Sequence, residues 1–172
     1  MSAITATVTE RRRPEPAASR RGCSIPLSEP VLGGRESHYV LECLESGWVS
    51  SVGSYVERFE REFASVAGRR FAIAMASGTA ALHVALEVAG VGAGDEVLMP
   101  AVTFIAPANA VRYCGAHPVF FDAEPEFWQM DATAVAGYVR RRCEARAGKL
   151  WSKLSGRRVA AILTVHVLGH PV

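Results

Sequence analysis

The chain has 172 residues, 49% of them apolar and 21% charged, with a mean hydropathy of +0.14 and a formal net charge of +2. That is globular composition at about the length of one domain, and it excludes the disordered and collagen-like classes. So small a net charge does not indicate a nucleic-acid binder, and the positive charge is lopsided, with Lys149 and Lys153 the only lysines among 19 basic residues.

Residues 1–22 form a zone rich in Arg, Ser, Thr, Ala and Pro. Arg11-Arg12-Arg13 is followed by Pro14-Glu15-Pro16 rather than an apolar stretch, so the zone reads as a disordered, solvated tail and not as a targeting signal. Cys23, Cys43, Cys114 and Cys143 stand far apart, without a CxxC pair or a histidine at metal-ligand spacing. They read as reduced thiols of a cytoplasmic protein, and no metal site is expected. The most apolar region, 71–94, is interrupted by His83 and Glu87, which argues against a membrane span.

From Ile25 the pattern becomes structured. Tyr39, Val40, Cys43 and Leu44 predict an amphipathic helix over 35–46, closed by Gly47. After the loop 48–53, Val56, Phe59, Phe63 and Val66 mark one face of a second helix over 54–67, stopped by Gly68. A strand of the fully buried kind is expected at 71–75, then a helix from Ser77 to about Ala89, a strand at 96–99 and a helix over 104–114 closed by Gly115. A strand at 117–121, a helix at 131–146 and a strand at 159–165 complete the rhythm. Strands alternating with helices of this length predict βαβ units and a largely parallel sheet covered on both faces. The basic stretch 140–158 contains a single aromatic, Trp151, and reads as an exposed helix end with a surface hairpin rather than a nucleic-acid surface.

Ligands of open α/β sheets bind beyond the carboxyl ends of the strands, so the strand-to-helix turns are the places to look. In the first, Ser77 suits an N-cap, Gly78 lets a ligand approach the backbone, and Thr79 sets a hydroxyl beside unpaired first-turn amides. Such a helix start favours anions, phosphate above all. It is neither a P-loop nor a GxGxxG fingerprint, and a plain capped helix start remains open. The second turn, Met99 to Asn109, carries Thr103, Phe104 and Asn109. Spacing leaves two readings open, an aromatic over a flat ring or ordinary core. In the third, His166 reads as a satisfied structural histidine. The carboxylates Asp122 and Glu124, around Pro125, read as turn chemistry.

Taken in order, six segments resemble one family: Trp48-Val49-Ser50-Ser51-Val52-Gly53, Ser77 to His83, Gly94-Asp95-Glu96-Val97, Pro100 to Asn109, Tyr113 to Pro118, and His166 with Gly169. They look like the DegT/StrS-type nucleotide-sugar aminotransferases of the fold-type I pyridoxal-phosphate superfamily, over about residues 25–172. The stretches GWVSSVGSYV and GRRVAAIL resemble the branch that handles UDP-linked amino-deoxy sugars for nonulosonic acid or surface-polysaccharide synthesis.

The resemblance implies an α/β fold, with residues 23–172 forming the N-terminal part of a large domain built as three α/β/α layers around a mostly parallel sheet. It implies pyridoxal 5'-phosphate as cofactor, with Gly78 and Thr79 holding its phosphate and Phe104 stacked on its ring. Trp48 and Ser50 would border the sugar-nucleotide site, and Asn109 would line the same cleft. Expected partners are a keto-sugar nucleotide, an amino donor such as glutamate and, for the complete protein, a second copy in a homodimer, with no nucleic acid and no membrane.

The family's lysine and its pyridine-facing aspartate lie downstream of the His-x-x-Gly segment, and this sequence ends three residues past Gly169. The chain is therefore expected to be a fragment that stops before the catalytic lysine, lacks the small C-terminal domain and is inactive alone. Lys149 and Lys153, in the basic stretch, are not promoted to that role. A sugar dehydratase of the same family and a non-catalytic sugar-nucleotide-binding remnant are the alternatives.

Overall fold

The computed structural model describes Pro26 and residues 29–172; the tail expected at 1–22, and Cys23, lie outside the described residues. The chain divides into two compact units, one reaching Gly53 and the other starting at Ser54. In the first, helix α1 (Glu36–Ser46) ends on Gly47, whose φ of +76° is the left-handed closure that glycine adopts without penalty. No side chain of α1 is fully buried; Tyr39 and Cys43 are half-buried, whereas Val40 and Leu44 are exposed. The loop 47–53 follows and carries Trp48.

In the second unit, α2 (Ser54–Val66) and α3 (Gly78–Val88) precede strand β1 (Glu96–Pro100), helix α4 (Ile105–Tyr113) and strand β2 (His117–Phe121). Helix α5 (Ala132–Arg142), strands β3 (Cys143–Arg146), β4 (Lys149–Ser152) and β5 (Arg158–Ile162) and a 3-10 turn at Val167–Gly169 complete it. The sheet order is β2-β1-β5-β4-β3. β1 runs parallel to both β2 and β5, while β4 pairs antiparallel with β5 and β3. The parallel strands are linked by helices, as the alternation of periods in the sequence predicts.

β1 is the centre of the core, and all five of its residues are buried. Val97 and Met99 face α3 and α4, where they meet Leu86, Ala108, Ala110 and Val111. Leu98 points the other way, toward Met130 and Val135 beside α5. One strand with buried residues on both faces gives the three-layer α/β/α order. Each fully buried Val, Leu or Met side chain contributes roughly 1.5–3 kcal/mol relative to exposure. Gly115 closes α4 at φ +71°, and a Cβ built there would lie 3.1 Å from Ala93 Cβ and 3.2 Å from Ala93 Cα. Both the dihedral and the close approach require glycine at this position.

A charged pair sets the register around β1. Arg158, the first residue of β5, donates from Nε to Asp95 Oδ1 at 2.8 Å, from a terminal nitrogen to Asp95 Oδ2, and from the same nitrogen to the Gly90 carbonyl at 2.6 Å. Asp95 Oδ2 also accepts from the Gly92 amide at 2.8 Å. The hydrogen bond from Arg158 is the main reason the Asp95 carboxyl is held below the usual carboxylate range.

Three expectations are corrected. The helix predicted to reach residue 146 ends at Arg142, because residues 143–146 pair with 149–152 around Ala147-Gly148, both at positive φ (48° and 72°). That two-residue turn matches strand twist and folds the chain into a hairpin; Cys143 and Leu150 then join the core beside α5. The predicted buried strand at 71–75 is extended chain with no strand beside it among the described residues; its Ala74 amide is held by Glu60 Oε1 at 2.8 Å, and Ile73 is 80% exposed. Apolar composition favours a strand, but a ladder also needs a neighbour. The strand predicted to run to residue 165 ends at Ile162. The other helices, and the strands at 96–100 and 117–121, lie where periodicity places them. No helix among the described residues is long and apolar enough to cross a membrane.

Replacing Asp95 by Ala is expected to lower the unfolding free energy by about 3 kcal/mol, since it leaves the Arg158 guanidinium without its charge partner. With its folded pKa depressed, Asp95 contributes stability fully above the ordinary carboxylate range and loses it as pH falls through the lowered value. Denaturant midpoints measured against pH should therefore fall less steeply on the acid side in the variant than in the wild type.

Candidate active site

The parallel strands β2, β1 and β5 share one carboxyl edge. Helix α4 begins there because it follows β1, and α3 begins there because its far end leads through residues 89–95 to the start of β1. The two helices pack side by side through Leu86, Ala108 and Val111. Their amino termini, which carry the positive ends of the helix dipoles, therefore face the same edge.

At α3, Ser77 is extended (φ −160°, ψ 161°), and its Oγ accepts from the Ala80 amide at 3.2 Å. Its carbonyl accepts from the Ala81 amide at 3.0 Å. The capping expected of Ser77 is thus in place, and the amides of Gly78 and Thr79 are left at the helix start for a ligand. Nothing lies within 4 Å of the point where a Gly78 Cβ would sit, so the backbone is open to close approach. Thr79 is half-buried. A groove of about 390 Å³ adjoins this helix start, with Phe59, Phe63, Ile73 and Met75 on its walls and Ser77 and Gly78 in its lining.

At the exit of β1, Thr103 and Phe104 precede α4. Phe104 occupies the N-cap position in an extended conformation, makes no side-chain capping bond and is 84% exposed. That answers the question the spacing leaves open: Phe104 is not core. Thr103 Oγ1 is buried without a hydrogen-bond partner among the described residues, an arrangement that a folded chain avoids unless a ligand or water completes it. Asn109 is half-buried on α4, one turn in from Phe104.

Beyond β5, the Leu163 amide still donates to the Leu98 carbonyl at 2.8 Å, after which the chain turns through His166 to Gly169. His166 is exposed, which does not match the satisfied structural histidine expected of it. The loop after β2 is built as turn chemistry. Glu124 accepts from the amides of Glu126 (2.8 Å), Phe127 (2.9 Å) and Gln129 (3.0 Å), and these bonds, led by the one from Gln129, hold its carboxyl below the usual range. Gln129 itself is buried and bonded to Val167. Sequence reading passes over it, because its partner lies 38 residues downstream and no local pattern marks the contact.

Trp48 and Ser50 are exposed in the loop after α1, in the first unit, where Trp48 packs close over Gly53. Lys149 opens β4 and Lys153 follows it. Leu150 and Trp151 pair with Val159 and Arg158, the first residues of β5. Lys153 therefore lies beside the amino end of β5, and Lys149 lies beside the middle of that strand, with its charge felt at Asp95. Cys114 and Cys143 are free thiols, and burial pushes both thiol pKa values up, which suits packing rather than nucleophilic chemistry.

Residues 30–172 match the DegT/DnrJ/EryC1/StrS aminotransferase family. The chain belongs to that family. Among similar proteins, a GDP-perosamine synthase of Escherichia coli O157:H7 is 39% identical over 147 residues, covering 86% of this chain and 36% of that protein. A GDP-perosamine synthase of Caulobacter vibrioides is 46% identical over 121 residues, covering 70% and 33%. A solved Streptococcus pneumoniae structure described as a sugar aminotransferase in its PMP form superposes with a TM-score of 0.69 at 27% identity, covering 86% of this chain and 33% of that one. The chain thus spans about a third of the length of these relatives. The mixed α/β fold with a mostly parallel sheet is that of the fold-type I pyridoxal-phosphate aminotransferases, as the family resemblance implies.

Because Phe104 is 84% exposed and caps nothing, Phe104→Ala is expected to change the unfolding free energy by no more than about 0.5 kcal/mol, the usual range for surface substitutions. Urea denaturation of the two proteins checks this. A large loss would return Phe104 to a structural role.

Proposed function

We propose that this chain contributes the cofactor-phosphate cup and one wall of the active site of a pyridoxal-phosphate-dependent aminotransferase acting on a keto-sugar nucleotide in polysaccharide or amino-sugar synthesis. The observation that carries the reading is the open start of α3, where Ser77 satisfies the next amides and leaves those of Gly78 and Thr79 for an anion. The residues present fit the cofactor on two further counts. An exposed aromatic, Phe104, stands at the exit of β1 with no structural task, and the buried Thr103 hydroxyl nearby lacks a partner.

In this reading the backbone amides of Gly78 and Thr79, with the Thr79 hydroxyl, take the phosphate through charge-assisted hydrogen bonds that the helix dipole strengthens. Phe104 covers one face of the cofactor ring and shields it from water. Thr103 and Asn109 supply polar contacts on the same side of the cleft. When bound, pyridoxal phosphate supplies the electron sink that lets an amino group move between carbon frameworks. Trp48 and Ser50 border the sugar nucleotide, with glutamate as amino donor and a second copy of the chain completing a homodimer in the cytoplasm. The relatives named GDP-perosamine synthase support a GDP-linked sugar, whereas the GWVSSVGSYV and GRRVAAIL stretches resemble the UDP-linked branch. Both nucleotides therefore belong in the test.

Titration of the purified protein with pyridoxal phosphate, followed by absorbance and tryptophan fluorescence, is expected to show saturable uptake. Loss of one charge-assisted hydrogen bond in Thr79→Ala should weaken it on the order of tenfold. GDP- and UDP-linked keto sugars added to the loaded protein identify the preferred nucleotide. Absence of uptake by the wild type overturns the reading, and unchanged uptake by Thr79→Ala removes that hydroxyl from the site.

A further inference from the structure

The turn that follows β5 is held from outside itself. Gln129 is 5% exposed, and its carboxamide makes three hydrogen bonds. Nε2 donates to the Phe127 carbonyl at 2.8 Å and to the Val167 carbonyl at 3.0 Å, while Oε1 accepts from the Val167 amide at 3.0 Å. Both backbone groups of one residue are thereby fixed by a single side chain, much as a neighbouring strand would fix them. The Gln129 backbone is in turn fixed by Glu124, whose carboxylate accepts the Gln129 amide and whose own amide donates to the Gln129 carbonyl at 2.8 Å. The Phe127 and His170 rings, 5.5 Å apart, make a second contact between the same two segments.

What this clamp holds is a strained piece of chain. Leu168 sits at φ +53°, ψ 22°, a left-handed conformation unfavourable for a residue with a branched side chain, and it is exposed, so burial offers it no compensation. Such a conformation persists where neighbours over-determine it. The turn lies at the carboxyl edge beside the exit of β1, because β5 is parallel to β1 and hydrogen-bonded to it up to Leu163. His166 and the turn after it are therefore next-door neighbours, in sheet order, of Thr103 and Phe104.

We propose that Gln129 is a positioning residue of the active site: by clamping both backbone groups of Val167 it sets the place of the His166–Gly169 turn, and so of the wall that follows β5. The functional half of this inference rests on the cofactor site proposed above. Gln129→Glu keeps the size of the side chain but removes both donors and brings a carboxylate against the carbonyls of Phe127 and Val167. Gln129→Asn keeps the chemistry on a stem one methylene shorter, too short to span to Val167 and Phe127 together, and serves if the Glu variant does not fold.

Two measurements are made on each protein. Hydrogen exchange should show the amides of 165–170 opening at least tenfold faster in the variants, with those of β1 unchanged. Pyridoxal-phosphate affinity, measured well below the unfolding temperature, should fall on the order of tenfold. Unchanged exchange at 165–170 overturns the clamp. Faster exchange with unchanged affinity overturns the positioning role and leaves a structural one. If the wild type takes up no cofactor, the functional reading itself fails, and the positioning role fails with it.

Discussion

The arrangement of the sheet depends on the pairing of Asp95 with Arg158. These residues are 63 positions apart, and each stands at the amino end of a strand, one before β1 and one opening β5. A parallel pair cannot be joined by a tight turn, so its register must be set by contacts between distant segments. Here a bidentate guanidinium–carboxylate contact does so, extended to the Gly90 carbonyl and the Gly92 amide. The register shifts between Glu96 and Val97, where Val159 and then Ala161 are the partners on β5. A directional charged contact just outside that irregularity fixes which pairing is adopted, where apolar packing alone would tolerate a slip.

The carboxyl edge follows from that register. With β5 fixed against β1, the exits of β2, β1 and β5 lie in order along one side, and the residues proposed for the cofactor site, Gly78, Thr79, Thr103 and Phe104, lie at that edge. The side chains that stabilise the unit and those read as functional are largely different. Val97, Leu98 and Met99 are fully buried and carry no chemistry. Phe104 and His166 are exposed, and Gly78 contributes open backbone. This division is what a rigid scaffold carrying loop-borne function predicts.

Much of this was legible in the sequence, and the rest was hidden for physical reasons. Helices α2 to α4 and strands β1 and β2 follow from apolar period and glycine stops, which are local signals. The Ser77 cap was legible because the pattern that makes it is contained in four residues. The hairpin at 143–152 was half legible: its charge marked a surface, but helix periodicity ran on past Arg142 until strand pairing overrode it. The segment 71–75 has the composition of a strand, yet composition cannot supply a neighbour. Gln129 was invisible, since an isolated glutamine between Trp128 and Met130 says nothing of a backbone 38 residues away. Of the candidate site, the anion-binding start of α3 could be argued from residues alone, whereas roles for Phe104, Asn109, Trp48 and Ser50 needed the family resemblance.

The distribution of charge bears on how an anion would be held. In α4 and α5 the basic residues of the last turn, Arg112 and Arg140 to Arg142, lie at the helix ends that face the amino edge of the sheet. Arg158 and Lys153 lie at that edge as well, and the charge of Lys149 is felt there at Asp95. There the cations complement the negative ends of the helix dipoles, and none of them reaches the carboxyl edge. An anion at the start of α3 therefore meets amide groups, a hydroxyl and a dipole, with Arg69 the one cation in the lining of the adjoining groove. Recognition of that kind is directional. It rewards a phosphate seated against the backbone and gives little to a diffuse negative charge, because a cup of fixed N–H groups offers hydrogen bonds only in the positions to which they point. Nothing lies within 4 Å of a Cβ built at Gly78, so the backbone of the helix start stays open to the close approach that the proposed phosphate site needs.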